Sequence, residues 1–348
     1  MINLIEKHTN NNFSNKWRNI SAVFLIIGVG FGWFWYTAGD HTTYIEKYIR
    51  GEKLQEMGDV SVENNGTGIV GGDVVFEPIL DKVPVLAADS TAFDTDILTA
   101  DSILVKDVQS GAVLLNKNEY AKHSIASITK LMTALVLLEY DINWNATTTV
   151  IGADSLDTHM YAGDIYMYEE LWNAMLIASS NKAALSLVES INGTEDEFVV
   201  RMNKRAQELG LSDTVFTDVT GIEDTNISTA SDIVILLQEA LRHPQIQETL
   251  LKKEYTLYSE QRQKEHHMWS TNWLILDDPN PWIYHSFDTV LGGKTGYIVA
   301  AGFNFVVEVE KGGHHIDVVV LGADSNEARF TEARDVGEWV FDNYTWEE

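Results

Sequence analysis

The chain of 348 residues contains no cysteine. That excludes disulfides, thiolate nucleophiles and cysteine-based zinc or iron–sulfur sites. It is compatible with an exported protein that never risks mispairing. Positive charge is scarce too: 24 lysines and arginines face 52 aspartates and glutamates, a formal net charge of -28. Binding phosphate backbones needs a basic face, so no nucleic-acid partner is expected. Tight docking on anionic lipid headgroups is disfavoured for the same reason, and the acidity reads as a highly solvated surface. There are no internal repeats. The paired histidines His266-His267 and His314-His315 lack the i,i+4 spacing of an HExxH helix, so they read as surface residues and no metal site is expected. Trp269, Trp273 and Trp282 read as packing residues or a cleft rim. With 45% hydrophobic residues the composition is globular, and the length allows one large domain or two ordinary ones.

Long apolar runs are also scarce, with one exception. Residues 20–38, ISAVFLIIGVGFGWFWYTA, carry no charge. As a helix this run spans roughly 28 Å, about the hydrocarbon thickness of a bilayer. Lys7, Lys16 and Arg18 precede it, an acidic stretch follows, and Trp33, Trp35 and Tyr36 gather at its far end. The positive-inside rule gives residues 1–19 as a cytoplasmic stub, 20–38 as an uncleaved transmembrane anchor, and the rest as extracytoplasmic. Thr37-Ala38-Gly39 is a poor cleavage site for a signal peptide. The expected location is thus the cell membrane, single-pass.

Residues 39–99 are acidic, with glycine clusters at 66–68 and 71–72, and read as a linker. Order begins near residue 100. Residues 102–106 (SILVK) and 112–116 (AVLLN) flank a turn-forming stretch and predict a β-hairpin. Apolar spacing predicts helices over 127–140, 171–190, 195–209 and 230–242, with a helix-rich insert at about 141–245. Two strands, 302–309 and 316–321, form a second hairpin around Lys311-Gly312-Gly313, and 326–344 is an amphipathic helix. An α/β fold follows, an antiparallel sheet flanked by helices with a helix-rich subdomain beside it.

Three short motifs carry the chemistry. Two serines have a lysine three places on, Ser127 with Lys130 and Ser179 with Lys182. Three sites fit Ser-x-Asn: Ser179-Ser180-Asn181, Ser190-Ile191-Asn192 and Ser270-Thr271-Asn272. Lys294-Thr295-Gly296 comes last. Each is weak alone, since ordinary composition yields a Ser-x-x-Lys about once in such a chain. Their settings decide. If Ser127 opens a helix, Lys130 lies one turn above its hydroxyl, and helix N–H groups point where an oxyanion would form. A serine needs a base to become nucleophilic, and a lysine serves only with a lowered pKa, from burial or from a second cation such as Lys294. Ser179 with Lys182 falls inside a helical pattern and lacks those N–H groups. Ser179 and Asn181 interrupt an apolar run, where polar groups need a partner, whereas Ser190-Ile191-Asn192 reads as a helix end. Lys294 and Thr295 follow Gly292-Gly293 on what reads as an edge strand, able to pair with an extended peptide and meet its carboxylate.

With these motifs, residues from about 100 to the C-terminus resemble the low-molecular-mass penicillin-binding proteins of the D-alanyl-D-alanine carboxypeptidase type. The likeness includes Asn116-Lys117-Asn118, Glu208-Leu209-Gly210-Leu211, Phe216, Thr220-Gly221-Ile222, residues 228–232 (STASD), Gly293 to Tyr297 and Leu321-Gly322-Ala323. It implies a β-lactamase/transpeptidase-like, five-stranded fold and a catalytic domain over 100–348. It also implies a serine DD-peptidase acting on peptidoglycan stem peptides ending in D-Ala-D-Ala and inhibited by β-lactam antibiotics. By similarity Ser127 forms the acyl-enzyme, Lys130 is the base and Ser179 relays a proton. Asn181, Lys294, Thr295, Gly296, Tyr297 and Arg329 would bind substrate, with the N–H groups of Ser127 and Tyr297 as the oxyanion hole. No cofactor is implied. Two departures stand out: Ser180 and Lys182 occupy positions where this group usually has glycine and aspartate, and Ile125 replaces a usual proline. A DD-endopeptidase uses the same machinery. A serine β-lactamase would need a deacylating glutamate for which no convincing motif lies between Asn181 and Lys294, and an inactive wall-binding protein would not keep the full motif set.

Overall fold

A computed structural model describes residues 83–347, apart from 154, 193 and 278–282. The expected stub, the anchor at 20–38, most of the acidic linker and Trp282 lie outside the described residues. Among the described residues no helix is long and apolar enough to cross a membrane.

The centre is a five-stranded antiparallel sheet made from both ends of the domain. Strands β2 (Ser102–Asp107) and β3 (Val113–Lys117) form the first expected hairpin. Strands β10 (Thr289–Ile298), β11 (Gly302–Lys311) and β12 (His314–Ala323) come nearly two hundred residues later, and the order across the sheet is β10-β11-β12-β2-β3. Strand β10 is therefore an edge strand, as its motif demands. Helices cover both faces, which is why β12 reads as a nearly continuous VVVL run instead of an alternating one. Leu104, Val306, Val319 and Leu321 face one core, while Ile103, Val105, Phe305, Val307, Val318 and Val320 face the other.

The second core is closed by helix α7 (Asn326–Asn343), whose N-cap Ser325 accepts from the Ala328 N–H at 3.0 Å. The first core holds α1 (Thr129–Leu137) together with the helices of the insert and just beyond it: α2 (Tyr168–Ile177), α3 (Asn181–Asn192), α4 (Glu195–Glu208), α5 (Ala230–Leu241) and α6 (Pro244–Leu250). Thr194 and Thr229 cap α4 and α5 through the N–H groups of Glu197 and Asp232. Small two-stranded ladders connect these parts: β4 (His123–Ser124) with β7 (Ile227–Ser228), and β5 (Thr147–Thr149) with β6 (Ile165–Met167). A hairpin of β8 (Glu254–Ser259) and β9 (Lys264–Trp269) was not legible in its polar sequence.

The acidic stretch read as linker contributes to the body near its end. Strand β1 (Val85–Leu86) pairs with β13 (Tyr344–Thr345), and Phe93 packs edge-on against Trp339. One expectation is corrected. The single helix predicted over 171–190 is two helices, because Ala178–Ser180 break it and Ser179 adopts φ 60°.

Candidate active site

Ser127 lies in one 3-10 turn, Ala126–Ile128, that runs directly into α1. The turn is held in an unusual shape: Ala126 has φ 48°, a left-handed conformation that disfavours a residue with a Cβ. Its neighbours impose it. A Cβ on Gly221 would lie 1.9 Å from the Ala126 carbonyl oxygen, and Gly221 itself has φ 80°. A Cβ on Gly296 would lie 2.5 Å from the Ile125 carbonyl oxygen and 3.2 Å from the Ser127 nitrogen. The turn is thus clasped between the 217–226 loop and β10, and only glycine allows that approach on either side. Asn304 of β11 adds a tie, donating from Nδ2 to the Ser124 carbonyl at 2.9 Å.

Lys130, on the first turn of α1, is fully buried. Its Nζ lies 2.9 Å from Ser127 Oγ, 2.7 Å from Asn181 Oδ1 and 2.7 Å from the Thr220 carbonyl oxygen. Burial lowers its pKa to about 7, against the pull of Asp218 and Asp157, which raise it. Lys294 is equally buried, with Nζ 2.9 Å from Ser179 Oγ and 3.0 Å from the Thr295 carbonyl oxygen. Burial holds it well below its ordinary value, and the charge of Lys130 lowers it further. Of the two causes anticipated for a lowered Lys130, burial or a second cation, burial leads.

Five of the expected residues therefore converge: Ser127, Lys130, Ser179, Asn181 and Lys294. Thr295 lies beside them, its hydroxyl donating to Thr271 Oγ1 at 2.8 Å. Tyr297 is half-exposed and stacks on Phe303, with ring centroids 4.3 Å apart. Arg329, expected among the substrate-binding residues, donates to main-chain oxygens of Gly296 and Asn304 and to Asn326.

The rival serine–lysine pair is set aside for a different reason from the one its sequence suggested. Ser179 and Ser180 precede α3 and so do stand at a helix start. The difference is in the lysine: Lys182 is buried with its Nζ on the Met160 carbonyl oxygen. Its motif neighbour Ser180 donates to Asp157 Oδ2 at 2.9 Å, and the Lys182 N–H donates to the same oxygen at 2.9 Å. The two departures from the family pattern, Ser180 and Lys182, therefore both fasten the start of α3 to the 156–160 segment. Of the other Ser-x-Asn sites, Ser190-Ile191-Asn192 ends α3, and Asn272 caps a 3-10 turn through the Leu274 N–H.

Several residues of the site had no role in the sequence reading. Thr220 supplies a carbonyl to Lys130. Asp218 accepts from the N–H groups of Thr220, Gly221 and Glu223, from Thr220 Oγ1 and from Asn226 Nδ2. Burial pushes its carboxyl up, yet those donors bring it below the ordinary carboxylate range. The signal available was Asp-x-Thr-Gly, whose aspartate can bind its own backbone two residues on. Thr271 lies in one of the rejected Ser-x-Asn sites, and nothing local marks it. The histidine pairs sit elsewhere: His315 faces Glu308 at 3.1 Å and His314 stacks on Trp346. Trp273 packs on Phe330, whereas Trp269 is mostly exposed.

Comparison with known proteins agrees with this geometry. Residues 89–325 match the family model described as D-alanyl-D-alanine carboxypeptidase. The chain is 31% identical over 255 residues to the D-alanyl-D-alanine carboxypeptidase DacF of Bacillus subtilis, covering 70% of this chain and 63% of that protein. It is 28% identical over 263 residues to DacD of Escherichia coli, covering 71% and 64%. The matched region thus spans somewhat under two thirds of these relatives. Among solved structures, a penicillin-binding protein from Listeria monocytogenes in its ampicillin-bound form superposes with a TM-score of 0.61 at 27% identity, over 72% of this chain and 100% of that one. A D-alanyl-D-alanine carboxypeptidase from Mycobacterium tuberculosis does so with a TM-score of 0.60 at 25% identity, over 74% and 96%. A clasped serine beside a buried lysine, on this five-stranded frame and within this match, makes the chain a member of the D-alanyl-D-alanine carboxypeptidase family.

Proposed function

We propose that the protein is a serine D-alanyl-D-alanine carboxypeptidase that trims peptidoglycan stem peptides through an acyl-enzyme on Ser127. The observation that carries this reading is the environment of Lys130. A neutral lysine amine offers two N–H donors and one lone pair. Nζ donates to three oxygens, Ser127 Oγ, Asn181 Oδ1 and the Thr220 carbonyl; once the amine is neutral, the last two keep its two N–H groups and its lone pair is left to accept from the Ser127 hydroxyl. A pKa of about 7 leaves much of the amine neutral at neutral pH. It is a base in place.

Acylation then proceeds as follows. Ser127 Oγ attacks the carbonyl carbon of the penultimate D-alanine while its proton passes to Lys130 Nζ. The tetrahedral oxyanion meets the N–H groups of Ser127 and Tyr297. The C–N bond to the terminal D-alanine breaks, and its nitrogen takes the proton that Lys130 received, relayed through the hydroxyl of Ser179, which Lys294 touches; Lys130 is left neutral. Water later attacks the ester with Lys130 again as base. The terminal carboxylate of an arriving peptide sits by Lys294 and Thr295, and its charge favours protonation of Lys294. Penicillins carry a strained amide and a carboxylate in the same relation, and the ampicillin-bound relative supports them as inhibitors. The test is labelling with fluorescent penicillin: wild type is labelled and Ser127→Ala is not, and a labelled Ser127→Ala protein would refute the choice of nucleophile.

An endopeptidase that cuts crosslinks is the second reading, favoured by a relative named D-alanyl-D-alanine endopeptidase from Haemophilus influenzae, 31% identical over 212 residues. Release of D-alanine from a pentapeptide supports the first reading, and release of monomers from crosslinked dimers alone supports the second. We further propose that residues 20–38 anchor the protein with its catalytic domain outside the cytoplasmic membrane. The apolar run and its flanking charges support this. Carbonate extraction of membranes that released the full-length chain would overturn it.

A further inference from the structure

Arg329, at the start of α7, is 7% exposed and has no carboxylate within ion-pairing distance among the described residues. Its guanidinium lies 4.9 Å from the Phe330 ring centroid and 5.6 Å from that of Phe303. Nη2 donates to Asn326, and Nε is buried without a hydrogen-bond partner. Nη1 makes the informative contact: it lies 3.2 Å from the Gly296 carbonyl oxygen and 3.4 Å from that of Asn304.

Gly296 and Asn304 are register partners across β10 and β11. One nitrogen can reach both oxygens only if both carbonyls converge between the two strands, as they do in a hydrogen-bonded antiparallel pair. The Gly296 carbonyl therefore points into the sheet. In a planar trans peptide the N–H points opposite to the C=O, so the Tyr297 N–H points out across the outer edge of β10. The nucleophile turn packs against β10 at this residue, since a Cβ on Gly296 would stand 3.2 Å from the Ser127 nitrogen. A cation held on the carbonyl end of a peptide fixes the plane of its N–H and draws electron density away from it, strengthening the donor.

We infer that Arg329 is a positioning residue for the oxyanion hole: it grips the Gly296 carbonyl so that the Tyr297 N–H is aimed and polarised toward the carbonyl attacked by Ser127. The inference rests on the acyl-enzyme reading above. It gives Arg329 a role through the main chain, distinct from contact with the substrate carboxylate.

The test uses the full chain and benzylpenicillin. The acyl-enzyme carbonyl stretch in the infrared reports how strongly the oxyanion hole pulls on the ester oxygen. For Arg329→Met that stretch moves to higher frequency. The acylation rate constant falls about tenfold, a fraction of the 10²–10³ lost when a donor is removed outright. The non-covalent binding constant for the drug stays within twofold. Arg329→Lys, which keeps a cation able to reach one carbonyl, gives intermediate frequency and rate, and supplies the readout if the methionine variant does not fold. An unchanged stretch in a folded, acylated variant overturns the inference alone. So does a loss confined to the non-covalent binding constant, which would make Arg329 a carboxylate ligand. A wild-type protein that benzylpenicillin does not acylate overturns the acyl-enzyme reading and this inference with it.

Discussion

Ser-x-x-Lys occurs twice in this chain, and the two copies have different fates. Both lysines are buried, and both serines adjoin a residue, or are themselves one, with left-handed backbone: Ala126 before Ser127, and Ser179 itself. Lys130 turns its amine onto Ser127, whereas Lys182 turns its amine onto the carbonyl of Met160. Spacing alone puts a lysine near a serine. Whether the two meet depends on which acceptors the surrounding loops offer. Around Lys130 they are a side-chain amide and a carbonyl arranged to leave one position for a hydroxyl, while Lys182 serves as a strut for a loop.

The largest expected effect comes from the two serines. Ser127→Ala removes penicillin labelling and lowers peptide hydrolysis by about 10⁴ or more, whereas Ser179→Ala retains labelling and loses about 10² in rate. Penicillin labelling rates for the pair would show it. The lysines sharpen the contrast. Lys130→Met lowers acylation by about 10³, and Lys182→Met leaves it within a few-fold but destabilises the fold by about 1–3 kcal/mol, because a buried carbonyl loses its donor. Acylation kinetics together with thermal melts separate these outcomes.

The lysines also differ in what pH does to them. The Lys130 pKa falls from 10.5 to about 7 on folding. Between those values the unfolded chain holds more protons, so stability from this group decreases as pH drops from 10.5 to 7 and is level below 7. The effect is on the order of 5 kcal/mol at about 1.4 kcal/mol per unit. Chemical denaturation across that range should therefore show Lys130→Met gaining on wild type as pH falls. Activity should rise with pH through a limb near 7, as the amine loses its proton. A limb that stays in place when Asp218, which pulls this pKa upward, is changed to Asn would break the account; the expected displacement is downward. The smallest effect is Gly296→Ala compared with Gly221→Ala. Both crowd the nucleophile turn, but only Gly221 also needs φ 80°, so it loses more in a thermal melt.

The hairpin 102–117, the strand pair after 302 and the closing helix were legible because apolar periodicity and turn residues agree there. So were the five converging side chains, since their motifs differ from one another in local setting. The break at Ser179 was not, because its flanks are apolar enough to read as one helix and the left-handed residue is not a glycine. The carbonyl of Thr220 left no mark in sequence, since every residue has one. The clasp by Gly221 and Gly296 was visible only as glycines near motifs, and what they approach depends on contacts across nearly one hundred residues and more of chain.

The ladder between β1 and β13 has a mechanical consequence. Under the anchoring proposed for residues 20–38, tension would enter the body at Val85–Leu86, against Tyr344–Thr345, just past the far end of α7. Arg329 lies near the opposite end of that helix, whose 18 residues extend roughly 27 Å. On that proposal, a pull would be taken up a helix-length away from the strand that packs against the serine's turn.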